Sequence, residues 1–162
     1  MRRPDFWQDG GIVANILTPL GWAYHGAGRI RQWTAQPYRA PIPVICVGNL
    51  VAGGAGKTPV AMALAGMLIA AGRKPHFLTR GYGGNLSGPV QVDPSRHKSD
   101  AVGDEAMLLA AMAPCWVARN RADGARAAVA AGAEIIVMDD GLQNPQLAKD
   151  LSLIVIDGPV GF

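Results

Sequence analysis

Val44-Ile45-Cys46-Val47-Gly48-Asn49-Leu50-Val51-Ala52-Gly53-Gly54-Ala55-Gly56-Lys57-Thr58 passes from an apolar run through a cluster of glycines into Gly-Lys-Thr, just ahead of a long segment rich in Ala, Leu and Met. Strand, glycine-rich turn, helix is the order of a phosphate-binding loop. Backbone at Gly53, Gly54 and Gly56 reaches positive φ without steric cost and admits a ligand closely, so successive N–H groups, with that of Ala55, can converge on phosphate oxygens. The helix points its positive end at the same anion. Pro59 falls in the first helical turn, where its missing N–H does no harm. In this arrangement Lys57 reaches the β- and γ-phosphates of a nucleotide and the Thr58 hydroxyl sits on Mg²⁺. The strict pattern G-x-x-x-x-G-K-[ST] wants glycine where this chain has Val51. A glycine-rich turn with a surface lysine is the plainer alternative; the flanking strand and helix weigh against it.

With 162 residues, 49% of them hydrophobic and 17% charged, the chain can bury one core and is too apolar for disorder. Cys46 and Cys115 are far apart and lack C-x-x-C or His-spaced context. They read as buried free thiols in a reducing compartment. The net charge is +3, and all of it lies in residues 1–40, where Arg2, Arg3, Arg29, Arg31 and Arg39 outnumber Asp5 and Asp9. The remainder is balanced, which argues against a nucleic-acid-binding face and for an anionic partner at the N-terminal end.

Residues 10–28 contain no acidic residue, lysine or arginine. Five glycines, Pro19, Asn15, Thr18 and His25 nevertheless make a poor spanning helix, and Asp5 and Asp9 do not suit a secretion signal. Helical spacing puts Val13, Ile16, Leu17, Leu20, Tyr24 and Ala27 on one face, accompanied by Trp7, Trp22 and Trp33. The pattern predicts, within residues 1–35, a kinked amphipathic helix lying in the headgroup region of an anionic leaflet. An ordinary helix packed on its own domain shares that amphipathicity. Residues 36–43, with three prolines, read as an extended connector to a core spanning 44–162.

Within that core, residues 44–47 form a short buried strand and 60–71 a helix apolar nearly all round, ended by Gly72. Residues 76–79 form a second strand running into Arg80-Gly81-Tyr82-Gly83-Gly84, a glycine-rich turn at a strand's carboxyl end, where ligands of open α/β sheets bind. A small extended piece at 90–92 and a polar loop at 93–100, with His97 solvated, lead to a helix from 102 to about 112. Asp104 and Glu105 lie in its first turn and complement its dipole. Strands at 116–118 and 134–138 flank a helix at 122–131, closed by Gly132, and a further buried strand spans 151–156. The 134–138 strand ends in Asp139-Asp140. Carboxylates there, downstream of a phosphate loop, hold Mg²⁺ directly or through water, because a hard cation needs oxygen ligands beside the phosphates. A simple Asp-Gly turn is the alternative.

Together these stretches resemble the tetraacyldisaccharide 4′-kinase family, the lipid A 4′-kinases of Gram-negative bacteria. The resemblance rests on Val47-Gly48-Asn49-Leu50 leading into Gly53-Gly54-Ala55-Gly56-Lys57-Thr58-Pro59, on Thr79-Arg80-Gly81-Tyr82-Gly83, on Val102-Gly103-Asp104-Glu105, and on Asp139-Asp140-Gly141-Leu142-Gln143. It implies a P-loop NTPase-like parallel sheet flanked by helices, with the N-terminal amphipathic helix associating with the membrane. It also implies transfer of the ATP γ-phosphate to the 4′-hydroxyl of an acylated glucosamine disaccharide 1-phosphate at the cytoplasmic face of the inner membrane. By the same resemblance Lys57 and Thr58 serve phosphate and Mg²⁺, Asp139 and Asp140 the metal and its surroundings, and Asp104 orients or accepts the hydroxyl proton. Arg80 and Tyr82 are implied to contact the sugar or its phosphate.

The chain departs from the family pattern at Ala106, where proline is frequent, and at Leu142 and Asn144, where phenylalanine and histidine are common. Family members also continue beyond Phe162 into a second domain with a histidine partner for the catalytic aspartate. The expectation is therefore a truncated chain, inactive alone. A membrane-associated nucleotide switch of the ParA/MinD kind has a similar loop, but usually carries lysine where this chain has Ala52. A non-catalytic membrane-associated module is a third reading.

Overall fold

The apolar runs of the core pair side by side as strands. A computed structural model describes residues 36–49 and 56–156; the segment 1–35, Gly53, Gly54 and Ala55 lie outside the described residues. The elements are β1 (Val44–Gly48), α1 (Lys57–Ala70), β2 (Pro75–Thr79), β3 (Val90–Gln91), α2 (Ser99–Val102), α3 (Asp104–Ala110), β4 (Cys115–Val117), α4 (Arg121–Ala130), β5 (Ile135–Asp139) and β6 (Leu151–Ile154). They form one sheet in the order β3-β4-β2-β5-β1-β6. Pairing is parallel from β4 to β6, and β3 adds an antiparallel edge. The result is an α/β fold in which β1, the strand entering the glycine-rich loop, lies beside β5, the strand ending in aspartate.

Side chains alternate across the sheet with the period of two that a pleated strand imposes. Val47, Phe77 and Val137 enter one core with Ala61 and Ala65 of α1, Val102 of α2, and Ala106 and Leu109 of α3. Val44, Cys46, Leu78, Ile136 and Met138 enter the other with Ala125 and Ala128 of α4. Both cysteines are buried free thiols, and burial pushes the Cys115 thiol up to about 12, so neither geometry nor ionisation favours reactivity. The prolyl stretch ahead of β1 is laid on this second core: Tyr38 forms a parallel bridge with Leu147, and the Arg126 guanidinium stacks 4.3 Å from its ring centroid.

Helix ends follow the glycines. Beyond α1, Gly72 N–H donates to Ile69 O (2.9 Å) and Arg73 N–H to Leu68 O (2.9 Å), and Gly132 and Ala133 repeat the pattern after α4. This is the paired capping that a left-handed glycine permits. The helix α1, apolar nearly all round as expected, buries Ala61 and Ala65 on the sheet side and leaves Met67 71% exposed. Two expectations require correction. The helix expected from residue 102 to 112 is two, because Gly103 at φ 91 breaks it between α2 and α3. The strand β6, expected to be buried, lies among the described residues at the sheet edge, paired there with β1, and Leu151 and Ile154 are half exposed. Among the described residues no helix is long and apolar enough to cross a membrane.

Candidate nucleotide-phosphate site

The site gathers where β1, β2, β4 and β5 end. Gly56 takes φ 72 and forms the N-cap of α1, a left-handed conformation that costs glycine nothing. Val60 N–H bonds back to Gly56 O at 3.2 Å, and Pro59 sits in the first turn, where no N–H is needed. Alternation along β5 places Asp139 on the same face as Val137, the face covered by α1. Thr58, in the first turn of α1, therefore meets it, its Oγ1 donating to Asp139 Oδ2 at 3.1 Å.

Asp139 is buried to 1% exposure, and its other oxygen, Oδ1, has no hydrogen-bond partner. A buried, half-satisfied carboxylate is unfavourable in its charged form. Burial pushes its pKa up to about 6, against the hydrogen bond from Thr58, with Glu105 and Asp140 raising it further. The orphaned oxygen beside the Thr58 hydroxyl is the donor set a hard divalent cation takes, so these residues fit Mg²⁺. Asp140 differs from expectation, because its side chain is 64% exposed rather than buried beside Asp139. Its Oδ1 lies 3.7 Å from Lys57 Nζ, and Lys57 Nζ also donates to Asn49 Oδ1 at 3.2 Å.

The other sequence-derived residues line the rim. Arg80 is exposed at the end of β2, and Tyr82, 82% exposed, follows in the glycine-rich turn. This turn is held against α2 by Asn85 N–H to Asp100 O (3.1 Å) and Leu86 N–H to Ala101 O (3.0 Å). Asp104 is exposed at the first position of α3. Its neighbour Glu105 acts electrostatically on Asp139, which brings the start of α3 to the site. His97 is tied into its own loop, Nδ1 accepting from Asp93 N–H at 2.9 Å, and plays no part here.

Sequence reasoning missed Arg121. The Asn120 side chain caps α4 by accepting from Ala122 and Asp123 N–H, and Arg121, the first helical residue, is only 2% exposed. It donates Nη1–H to Ala118 O, and its Nε has no partner. Burial brings its pKa down to about 10, helped by Arg80, while Asp140 and Asp139 oppose the shift. A cation is thus fixed behind the aspartates and beside Arg80. The available signal was positional: an arginine opening a helix directly after a strand at the ligand-binding edge of an α/β sheet.

The glycine-capped helix following β1, and the aspartate-ended strand next to it, define a P-loop kinase-like protein. The sequence model of the tetraacyldisaccharide-1-P 4′-kinase family, LpxK, matches residues 13–162, and the chain belongs to that family. It is 60% identical over 99% of its length to the tetraacyldisaccharide 4′-kinase of Parvibaculum lavamentivorans, and 60% identical over its whole length to that of Paramagnetospirillum magneticum. It spans about half the length of these curated relatives, 48% and 50%. The crystal structure of LpxK from Aquifex aeolicus in complex with ATP superposes with a TM-score of 0.74 at 28% identity, over 88% of this chain and 49% of that one.

Proposed function

We propose that the chain carries the nucleotide site of an ATP-dependent kinase that phosphorylates the 4′-hydroxyl of an acylated glucosamine disaccharide 1-phosphate, a step of lipid A biosynthesis. The observation that carries this reading is the buried Asp139 carboxylate, bonded to Thr58 through one oxygen and unsatisfied at the other. The names of the relatives and the ATP of the Aquifex aeolicus structure support it.

Lys57 holds the β- and γ-phosphates, with Gly56 beside it, and the sequence assigns Gly53, Gly54 and Ala55 to the same phosphates. Thr58 and Asp139 would hold Mg²⁺, with Asp140 beside them. The bound cation would neutralise charge on the transferring phosphoryl group. Asp104 orients the sugar hydroxyl and accepts its proton, which requires only hydrogen-bond reach and in-line geometry. Arg80 and Tyr82, at the open rim, contact the sugar or its phosphate. The test is transfer from γ-labelled ATP to the disaccharide 1-phosphate in detergent micelles, by this sequence within a chain of the relatives' full length. Asp104→Asn is expected to lower turnover by about 10²–10⁴-fold with ATP affinity little changed. Unaltered turnover would remove Asp104 from the chemistry, and no transfer by the wild type would sink the kinase reading.

Because the acyl chains of such a substrate stay in the bilayer, the enzyme must work at its surface. Residues 1–35, which hold two of the three excess positive charges and three of the four tryptophans, supply the contact with the anionic cytoplasmic leaflet of the inner membrane as a peripheral amphipathic segment. Deleting them is expected to release the protein from anionic liposomes in a flotation assay; undiminished flotation would refute this assignment.

A further inference from the structure

The chain leaving β5 is tied down over ten residues by a set of bonds that the phosphate site does not itself require. Asp140 has φ 55, a left-handed conformation uncommon outside glycine, while its N–H still donates to Val47 O at 2.9 Å. Leu142 then packs against Gly48 so closely that a Cβ at 48 would stand 2.6 Å from Leu142 Cγ. Asn144 N–H donates to Gly141 O at 3.0 Å, and Asn144 Oδ1 accepts from Gln146 N–H at 2.9 Å. Gln146 Oε1 accepts from Arg121 N–H at the start of α4, at 3.1 Å. Further on, Asp150 Oδ2 accepts from Val44 N–H at 2.8 Å. Between these anchors lies Lys149. Its Nζ donates to Leu142 O at 3.0 Å and to Asn144 O at 2.6 Å, drawing two carbonyls of the turn onto one ammonium.

We propose that Lys149 is a positioning residue of the nucleotide site: by holding the Leu142 and Asn144 carbonyls it fixes the 140–144 turn, and with it the left-handed Asp140 whose carboxylate lies 3.7 Å from Lys57 Nζ. The role rests on the assignment of Lys57 to nucleotide phosphate. Hydrogen bonds donated by a charged group are the stronger ones, and here both are made to backbone, so their loss frees the turn rather than a surface side chain. Burial lowers the Lys149 pKa, and the two carbonyls supply the acceptors that a buried ammonium needs.

The test is a double-mutant cycle read by titration with a fluorescent methylanthraniloyl-ATP in MgCl₂. Lys149→Met, which keeps the stem and removes the donors, is expected to weaken binding about tenfold, the scale of a charged hydrogen bond. Lys149→Arg should restore most of the affinity. In the double variant with Asp140→Asn, binding should be no weaker than in Asp140→Asn alone, because Lys149 acts through Asp140. Hydrogen exchange of the 140–144 amides should quicken in Lys149→Met without nucleotide, more than exchange in the central strands. Unchanged affinity in Lys149→Met, or independent multiplying losses in the double variant, would overturn the proposal. Absence of binding by the wild type would overturn the nucleotide assignment beneath it.

Discussion

Asparagine at position 139 is expected to raise the thermal midpoint of the metal-free chain by several degrees while abolishing its Mg²⁺-dependent nucleotide affinity. Asp139 is buried, and Oδ1 has no partner. A carboxyl shifted from 3.8 to about 6 costs the folded state about 3 kcal/mol at neutral pH. Asparagine carries no charge yet can still accept from Thr58 Oγ1. It remains a buried polar group, so about 1–2 kcal/mol of the gain should survive, equivalent to roughly 2–4 °C per kcal/mol.

The pH dependence has a definite sign. The folded group keeps its proton to higher pH than the unfolded one, so stability falls as pH rises from about 4 to about 6. The advantage of asparagine should be absent below that window and full above it. Thermal scans at several pH values in chelator, repeated with MgCl₂ and ATP, provide the measurement. Equal midpoints at neutral pH would show that the carboxylate is not a source of strain.

Alanine at position 103 should be among the most damaging small substitutions in the described structure. Gly103 has φ 91 and ψ 150, a region essentially closed to other residues, and occupying it costs about 1–3 kcal/mol. A Cβ there would stand 2.3 Å from Tyr82 O, a backbone atom that cannot rotate aside. The two effects together predict a loss of about 3 kcal/mol or more in urea unfolding. Gly132→Ala supplies the control. That glycine has φ 88 with nothing within 4 Å of its built Cβ, so it bears the conformational cost alone. Similar losses in the two variants would show that the close approach of Gly103 to Tyr82 has no consequence. Because Gly103 is the joint between the Tyr82 turn and Asp104, its substitution should also impair any reaction that needs both.

The parts of the site that were legible in the sequence are those built from short-range pattern. An apolar run followed by Gly-Lys-Thr specified β1 and the start of α1, and a β-branched run ending in Asp139 specified β5. That Asp139 lies under α1 follows only once the structure shows which face of β5 the helix covers. What escaped depends on which elements become neighbours. Beyond its position at the head of a helix after a strand, nothing in residues 118–123 announces that the Arg121 side chain turns inward, because a helix-opening arginine is ordinarily solvated. Nor does Lys149, five residues beyond Asn144, look different from any surface lysine until the return of the chain brings its ammonium to two carbonyls. The half-exposure of β6 was hidden for the same reason. Apolar content shows that a strand suits a core, and only its place at the sheet edge shows that one side lacks a neighbour. The single helix expected over 102–112 failed at Gly103, whose φ 91 and ψ 150 lie outside the helical region.

The adjacency of β1 and β5 also fixes when the site can come into existence as the chain folds. The Thr58–Asp139 bond joins residues 81 positions apart, and parallel strands cannot be closed by a hairpin. The helix α1 and its capping glycine are local structures that can form early, but the carboxylate they face arrives only after the three intervening strands β2, β3 and β4 and their connections. Contacts of this sequence separation are entropically late. Under the proposed function, phosphate binding would therefore report completion of the central sheet, and a nascent chain that has not yet released β5 would carry the Gly-Lys-Thr segment without the Thr58–Asp139 pair.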